Sequence, residues 1–207
     1  MYIPPAFQEN DLATLHAVIR AARLANLITA TAEGLVGSPL PLFLDATEGP
    51  HGTIYGHVAR ANPQWQRAPI GDAMAIFMGP DAYVTPSWYA TKRETGKVVP
   101  TWNYVAVHAY GPVEFFEDAD RLRDVVTRLT NLHEGLRAEP WTVTDAPEDF
   151  IRSQLRGIVG LRMPIGRIDG KRKMSQNRGA EDRAGVTQGL AASDGAADRA
   201  VAKLIPK

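Results

Sequence analysis

Residues 53–65 read "TIYGHVARANPQW", and this stretch decides the fold. Its first seven residues have the alternating pattern of a β-strand that turns one face towards a core. The residues that follow bring an Arg, an Asn, a Gln and a Trp together where that strand ends. Polar and aromatic side chains at a strand end are typical of ligand-binding rims, so the stretch predicts both a strand and a candidate site.

Short apolar runs of the same kind precede and follow this strand, separated by Gly, Pro and acidic residues. They are "LITATA", "LVGSPLPLFLD", "AMAIFMG", "AYVTPSWY" and "WNYVAVHAYGPVEFFE", and "IVGLRMPIGRIDG" reads as one final strand. Many short strands at close spacing predict an antiparallel sheet, here expected to close into a barrel.

Three segments place apolar residues at helical spacing. The first begins at an N-cap that is Asn10 or Asp11, and the second begins at an Asp118 N-cap. The third has Pro147 at its first position and Gly157 after its end. Helices outside a β-barrel give the α+β fold class.

The composition limits the compartment and the partners. The 207 residues carry 23 Lys and Arg against 23 Asp and Glu, so no overall charge draws the chain to nucleic acid or a membrane. Cysteine is absent, and no signal peptide or membrane-length apolar run is visible, so we expect a cytoplasmic protein. We expect one domain over residues 1–178, and a weakly ordered or docking tail over the Gly- and Ala-rich residues 179–207.

No motif in the chain indicates a particular reaction, a metal site or a nucleic-acid-binding site. The five His show no metal-ligand spacing and no Cys accompanies them, so no metal site is predicted. The spacings of zinc proteases, serine hydrolases and P-loop proteins are absent. No helix-turn-helix signature supports direct DNA binding.

Two further polar clusters accompany predicted strands. They are "TPSWY" (85–89) with "PTWNY" (100–104), joined by the loop "ATKRETGKVV" that we expect to be mobile, and "KRKMSQNR" (171–178). Aromatic faces, amides, hydroxyls and Arg suit a flat heteroaromatic small molecule with a phosphate, and FMN has all those parts. Trp and Tyr at strand ends also cap cores, and a basic turn is often only solvated, so both interpretations stay open here.

Seven blocks occur together in one order: "MYIPPAF", "GHVARANPQW", "PSWY", "VPTWNY", "LTNLHE", the "PW" at 140–141 and "KMSQNR". In this order they resemble the PaiB-type family of FMN-binding transcriptional regulators. The resemblance implies an antiparallel split β-barrel with flanking helices, the FMN-binding split barrel of the pyridoxamine phosphate oxidase-like superfamily. It also implies a homodimer with the flavin between two subunits.

The resemblance further implies which residues contact FMN. Arg60 matches the place of the phosphate anchor, with Asn62 and Ser38 assisting and His57 beside it. The remaining contacts are expected around the ring, at Ser87, Tyr89, Trp102 and Asn103, and on the C-terminal side, at Lys173, Gln176 and Arg178. This chain has Pro39 where family members commonly have a His before Leu-Pro, and Pro has no side-chain donor or ligand to replace it.

These observations favour an FMN-binding protein that resembles PaiB-type regulators. An FMN-dependent oxidoreductase or flavin reductase is the alternative, because the cofactor carries its own chemistry and needs no catalytic motif. A flavin-free barrel that binds haem or another planar ligand is a further alternative.

Overall fold

The computed structural model describes residues 1–207 and contains ten strands and six α-helices. The strands are β1 Gln8–Glu9, β2 Ala25–Thr31, β3 Gly34–Leu40, β4 Leu42–Asp45, β5 Thr53–Ala59, β6 Ala73–Val84, β7 Thr101–Gly111, β8 Glu114–Phe116, β9 Ile158–Pro164 and β10 Arg167–Lys173. The helices are α1 Leu12–Ala21, α2 Ala90–Thr95, α3 Ala119–Glu134, α4 Glu148–Leu155, α5 Ala180–Ala191 and α6 Ala196–Ala202. The predicted α+β class is therefore confirmed.

The strands form two antiparallel sheets. Their orders are β1-β10-β7-β6-β2-β3 and β4-β5-β9-β8. Both orders are open, so the expected closure of one sheet into a barrel was wrong. The chain leaves the first sheet at Leu40 and enters the second at Leu42, and the residue between them is Pro41, which has no N–H to continue a ladder.

The chain divides into two compact units. The first unit contains residues 1–18, 78–107 and 169–207, and the second contains residues 19–77 and 108–168. The core of the first unit is formed by Ala82, Val84, Tyr89, Val105, Met174, Val186, Leu190, Val201, Ala202 and Ile205. The core of the second unit includes Phe43, Phe116, Leu122, Val125, Leu129, Val143, Ile151 and Leu155.

The C-terminal segment, expected to be either weakly ordered or a docking segment, is helical and packs against the rest of the first unit. Residues 179–207 contain α5 and α6 and supply five of the ten buried core residues of the first unit, four of them from the two helices. A Cβ on Gly185 would overlap the Trp88 carbonyl oxygen, and a Cβ on Gly189 would overlap the Trp88 indole. The glycines that suggested disorder therefore allow α5 to pack directly against residue 88.

The helices begin at or next to the residues that the sequence predicts as their N-caps. The Asp118 carboxylate accepts a hydrogen bond from the Arg121 N–H at 2.9 Å and caps α3. The Asp11 carboxylate accepts from the Thr14 N–H at 2.8 Å and caps α1. Pro147 is the N-cap of α4, one residue before the position expected for it. The predicted Asp caps are confirmed.

Two local predictions were wrong. Residues 90–95 of the segment expected to be a loop form α2, which ends at Gly96 in the left-handed conformation (φ 66°). The expected single final strand is two strands, β9 and β10. The residues between them are tied elsewhere, since the Ile165 N–H donates to Gly52 O at 3.0 Å and the Gly166 N–H donates to Tyr110 O at 2.8 Å.

Candidate functional site

The residues predicted to contact FMN fall into two groups, one in each unit. The second unit contains Ser38, His57, Arg60 and Asn62. The first unit contains Ser87, Tyr89, Trp102, Asn103, Lys173, Gln176 and Arg178. Each group is described by itself.

The Arg60 guanidinium is held by the protein. Its Nε donates to Arg156 O at 2.6 Å, one terminal nitrogen donates to Ile158 O at 3.3 Å, and the other pairs with the Glu117 carboxylate. These contacts fix the residue that follows β5 against the start of β9. Its positive charge is thus compensated within the second unit, and its role as phosphate anchor stays a prediction.

Asn62 and Ser38 are in contact, as the prediction that both assist one site requires. The Asn62 amide donates to the Ser38 hydroxyl at 2.8 Å, while its side-chain oxygen accepts from the Gln64 N–H at 2.9 Å. The second bond caps the short 3₁₀ turn Pro63–Gln66. The Asn62 side chain therefore shapes the turn after β5 with both of its polar atoms.

His57 is half-buried on β5, and its Nδ1 atom is buried without a hydrogen-bond partner. Burial lowers the pKa of its imidazole below the ordinary value of 6.5, because a buried ring disfavours the charged form.

The first unit contains a cleft of about 120 Å³, called here the Lys173–Arg178 cleft. It is lined by Phe7, Tyr89, Thr101, Asn103, Lys173, Ser175, Asn177 and Arg178. Four predicted contacts therefore come together around one cavity. Phe7, Thr101, Ser175 and Asn177 were missed, although all four lie inside quoted motif blocks.

The cleft carries positive charge without a carboxylate. Lys173 Nζ donates to Thr101 Oγ1 at 2.6 Å and to the Trp102 carbonyl, and the Arg178 guanidinium lies 4.7 Å from the centre of the Tyr89 ring. Neither cation forms an ion pair, and no Asp or Glu lines the cavity. Burial, and then the nearby Lys171 and Arg178, lowers the pKa of the Lys173 ammonium.

The buried wall of the cleft is polar and conformationally strained. Asn103 and Ser175 exchange side-chain hydrogen bonds of 3.0 and 3.2 Å. Ser175 is the one non-glycine residue with positive φ (61°), a conformation that is retained at functional sites more often than elsewhere. The buried Tyr89 hydroxyl lies close to the Arg178 guanidinium, and burial raises the pKa of the phenol by more than the Arg178 charge lowers it.

The other predicted residues of the first unit lie outside this lining. The exposed Ser87 hydroxyl accepts from Lys92 Nζ at 3.0 Å. The Gln176 side chain accepts from the Met174 N–H at 2.6 Å and donates to the Arg172 carbonyl, so it braces the turn after β10. Trp102 is half-exposed, with its indole 5.9 Å from the Tyr83 ring in an edge-on arrangement.

The residues of the cleft fit a phosphate group. A phosphate ester needs positive charge and hydrogen-bond donors, and here two cations, three hydroxyls and two amides surround one small cavity. Sites that enclose a whole small-molecule ligand measure about 300–1,000 Å³. The cleft therefore suits the phosphate end of a nucleotide such as FMN, with the ring system outside it.

Two further features bear on the predicted partners. No helix combines the length and apolar character needed to cross a membrane. No group of three or more His, Asp or Glu side chains is placed to hold a metal ion.

Comparison with known proteins identifies the family. Residues 1–167 match the family model described as "Putative FMN-binding domain". An uncharacterized protein of Aspergillus fumigatus is 34% identical over 238 aligned positions, covering 92% of this chain and 90% of that protein. "Protease synthase and sporulation protein PAI 2" of Bacillus subtilis is 31% identical over 191 positions, covering 92% and 89%.

A solved structure supports the fold. The "FAD and Heme binding protein" of Mycobacterium smegmatis superposes with a TM-score of 0.60 at 16% identity, covering 86% of this chain and 78% of that one. The split-barrel fold and the PaiB-type resemblance are thereby confirmed. The chain belongs to the family of FMN-binding domains that this model describes, and its cofactor is FMN.

Proposed function

We propose that this protein binds FMN between two copies of the chain, with the phosphate in the Lys173–Arg178 cleft. The observation that carries the proposal is the pair of cations, Lys173 and Arg178, that no carboxylate neutralises. A phosphate monoester carries about −1.5 to −2 charges at pH 7, which matches these two cations. Hydrogen bonds between charged groups contribute about 1.5–3 kcal/mol each, so the phosphate supplies much of the affinity.

The chain's neutral groups complete the phosphate site. Thr101 and Ser175 offer hydroxyls and Asn177 offers an amide, so donors of different reach surround the anion. Tyr89 is held neutral by its burial and keeps a donor on the inner wall. When bound, FMN supplies hydride or electron transfer, while these residues bind and orient it.

A second copy of the chain is the proposed cover for the ring system. The cleft is smaller than a site that encloses a whole ligand, so the isoalloxazine must find its contacts beyond it. The first unit also keeps large apolar side chains exposed, including Met78, Tyr83 and Trp102. Aromatic and Met side chains are enriched at protein interfaces, which supports pairing through this part of the chain.

A regulatory role is proposed from the relative in Bacillus subtilis, whose name refers to protease synthesis and sporulation. The formal net charge of zero and the lack of a recognition-helix motif argue against a DNA-binding regulator. We favour regulation through a protein partner or a metabolite, with FMN binding as the input.

The test is a titration of the purified protein with FMN and with riboflavin, followed by absorbance and fluorescence, with sedimentation velocity on the same samples. We expect a dimer that binds FMN at least about tenfold more tightly than riboflavin, as one charged hydrogen bond already requires. Equal affinity for the two flavins would show that the phosphate does not bind in the cleft. A monomer that binds FMN fully would overturn the shared site, and binding of haem in place of either flavin would favour the flavin-free alternative.

A further inference from the structure

The C-terminal helix pair, α5 and α6, begins directly at the proposed phosphate site. Arg178 lines the cleft, and the next residue, Gly179, is the N-cap of α5. We infer that phosphate binding in the cleft is transmitted to this helix pair through the Ser175–Arg178 turn and Arg183, so that the pair opens less often when FMN is bound. This inference rests on the proposed function and adds a regulatory output to the same site.

The turn that joins the cleft to α5 is fixed at several points. The Arg178 N–H donates to Ser175 O at 2.9 Å, which closes the turn. Ser175 holds its left-handed backbone while its hydroxyl is bonded to Asn103. A non-glycine residue in this region costs about 1–3 kcal/mol and persists only where its surroundings hold it. A ligand that contacts the Ser175 hydroxyl therefore acts on a turn that stores strain.

Arg183 connects this turn to the end of the chain. One guanidinium nitrogen donates to Arg178 O at 2.7 Å, and the other two donate to Pro206 O and Lys207 O, both at 3.2 Å. A single planar side chain in the first turn of α5 thus ties a cleft residue to the segment that follows α6. Movement of the Arg178 backbone must change this set of bonds.

A second connection runs through the aromatic wall of the cleft. Tyr89 lines the cavity, and its neighbour Trp88 lies against Gly185 and Gly189 of α5 without room for a Cβ. Asp182, also on α5, accepts hydrogen bonds from the Thr91 N–H at 2.9 Å and the Thr91 hydroxyl at 3.0 Å. α5 is therefore also in contact with Trp88 and Thr91, the residues on either side of Tyr89 and Ala90.

Electrostatic attraction between the phosphate and the cleft cations favours the closed helix pair. Lys171 and Arg178 both repel the Lys173 ammonium, and a phosphate placed between Lys173 and Arg178 in the cleft converts their repulsion into attraction. The attraction requires Arg178 in its present position, which is the position that Arg183 holds from α5. A ligand that binds one arrangement better shifts the population towards it, and coupling between sites is typically 5–150-fold.

Hydrogen exchange measured by mass spectrometry tests the inference on the full chain. We expect saturating FMN to slow exchange over residues 180–202 by about tenfold, within the range of ordinary site-to-site coupling. Riboflavin at saturation has the same ring without the phosphate, and we expect little slowing with it. Exchange in α3, which lies in the other unit, serves as the internal reference.

Two arginine variants separate transmission from binding. Arg183→Ala should lose most of the FMN-dependent slowing, and it should weaken FMN binding by no more than the about tenfold that one charged hydrogen bond contributes, because Arg183 also holds the Arg178 backbone. Arg199→Ala is the matched control, because Arg199 on α6 donates to Ser193 O at 2.8 Å and touches no cleft residue. The control should keep the slowing.

The outcomes distinguish the two proposals. FMN bound to the wild-type protein without slowing over residues 180–202 would overturn this inference and leave the proposed function intact. Equal slowing by riboflavin would also overturn it, because the effect would not pass through the phosphate. Failure of FMN to bind the wild-type protein would overturn the proposed function itself. These wild-type measurements decide the matter even where Arg183→Ala loses its helix pair.

Discussion

Arg60 and the Lys173–Arg178 cleft are both basic positions at strand ends, and they differ in what neutralises them. Arg60 donates to two backbone carbonyls and pairs with Glu117. Lys173 and Arg178 face hydroxyls, amides and aromatic rings, with no carboxylate among them. The difference teaches that an Arg within a polar motif can already be compensated by the protein, which gives the anion site two competing candidates. Positive charge that the chain leaves uncompensated is the better indication of a phosphate.

The largest expected effect is on the cleft side of this comparison. The double variant Lys173→Ala with Arg178→Ala should weaken FMN binding by about 100-fold or more, because two charged hydrogen bonds of about 1.5–3 kcal/mol each are lost. Riboflavin affinity should change little, since riboflavin has no phosphate. Fluorescence titration with both flavins measures the two effects. Lys92→Ala is the control, because that ammonium contacts Ser87 outside the cleft.

An equal loss for both flavins would break the comparison, because the two cations would then contact the ring or support the fold. Urea unfolding of the same variants separates these outcomes. A double variant that unfolds at the same urea concentration as the wild type has lost binding and not structure.

The next effect is expected at Arg60. Arg60→Ala should lower the free energy of unfolding by about 1–2 kcal/mol, since it removes a half-exposed ion pair and two bonds to carbonyls. FMN affinity should stay within about threefold, because the charge is already compensated. Arg67→Ala is the matched control, since Arg67 pairs with Glu33 at the surface. A tenfold or larger loss of FMN affinity in Arg60→Ala would restore Arg60 as the phosphate anchor.

The sequence predicted local features better than distant pairing. Asp118 and Asp11 were identified as caps because a cap acts within three residues of its own position. Asn103, Lys173 and Arg178 were expected from the family resemblance, and the structure places all three around one cleft. The partners of Arg60 could not be predicted, because Glu117 and residues 156–158 reach it only through the pairing of β5 with β9.

The C-terminal helices show that composition alone is a weak guide to order. Residues 179–207 are rich in Gly and Ala, a composition that is typical of weak order. In the structure the same small residues let α5 lie against Trp88, and the few large apolar residues of the segment are buried. Composition predicts only the average burial of a segment. Whether the segment is ordered depends on the positions of a few apolar side chains along it. The left-handed Ser175 was likewise invisible, because Ser is not a residue that favours positive φ.

A smaller effect, on pH dependence, sharpens the comparison further. The pKa of Lys173 lies below its ordinary value of 10.5, through burial and through Lys171 and Arg178. The phosphate is attracted by the protonated ammonium, so the preference for FMN over riboflavin should fall as pH rises through that lowered pKa. The ratio of the FMN and riboflavin affinities, measured from pH 7 to pH 10, isolates the contribution of the phosphate to binding. Lys173→Gln should flatten this dependence, and an unchanged profile would exclude the Lys173 ammonium as its cause.

The smallest effect belongs to the second unit, where arginines are paired with carboxylates. Hydrogen bonds from Thr47 and Arg128 lower the pKa of Asp45 from 3.8 to about 2. A carboxyl with a lowered pKa in the folded state stabilises the fold above its unfolded value, and this contribution is lost as pH falls from about 4 towards 2. Asp45→Asn should therefore be less stable than the wild type at pH 7 and should lose less stability over that acid range. Thermal unfolding of both proteins between pH 2 and pH 7 measures this. Stabilities that fall in parallel for the two proteins would show that the lowered pKa of Asp45 does not stabilise the fold. In the first unit, by contrast, the Met1 amino group pairs with Asp169, and neither Lys173 nor Arg178 forms an ion pair.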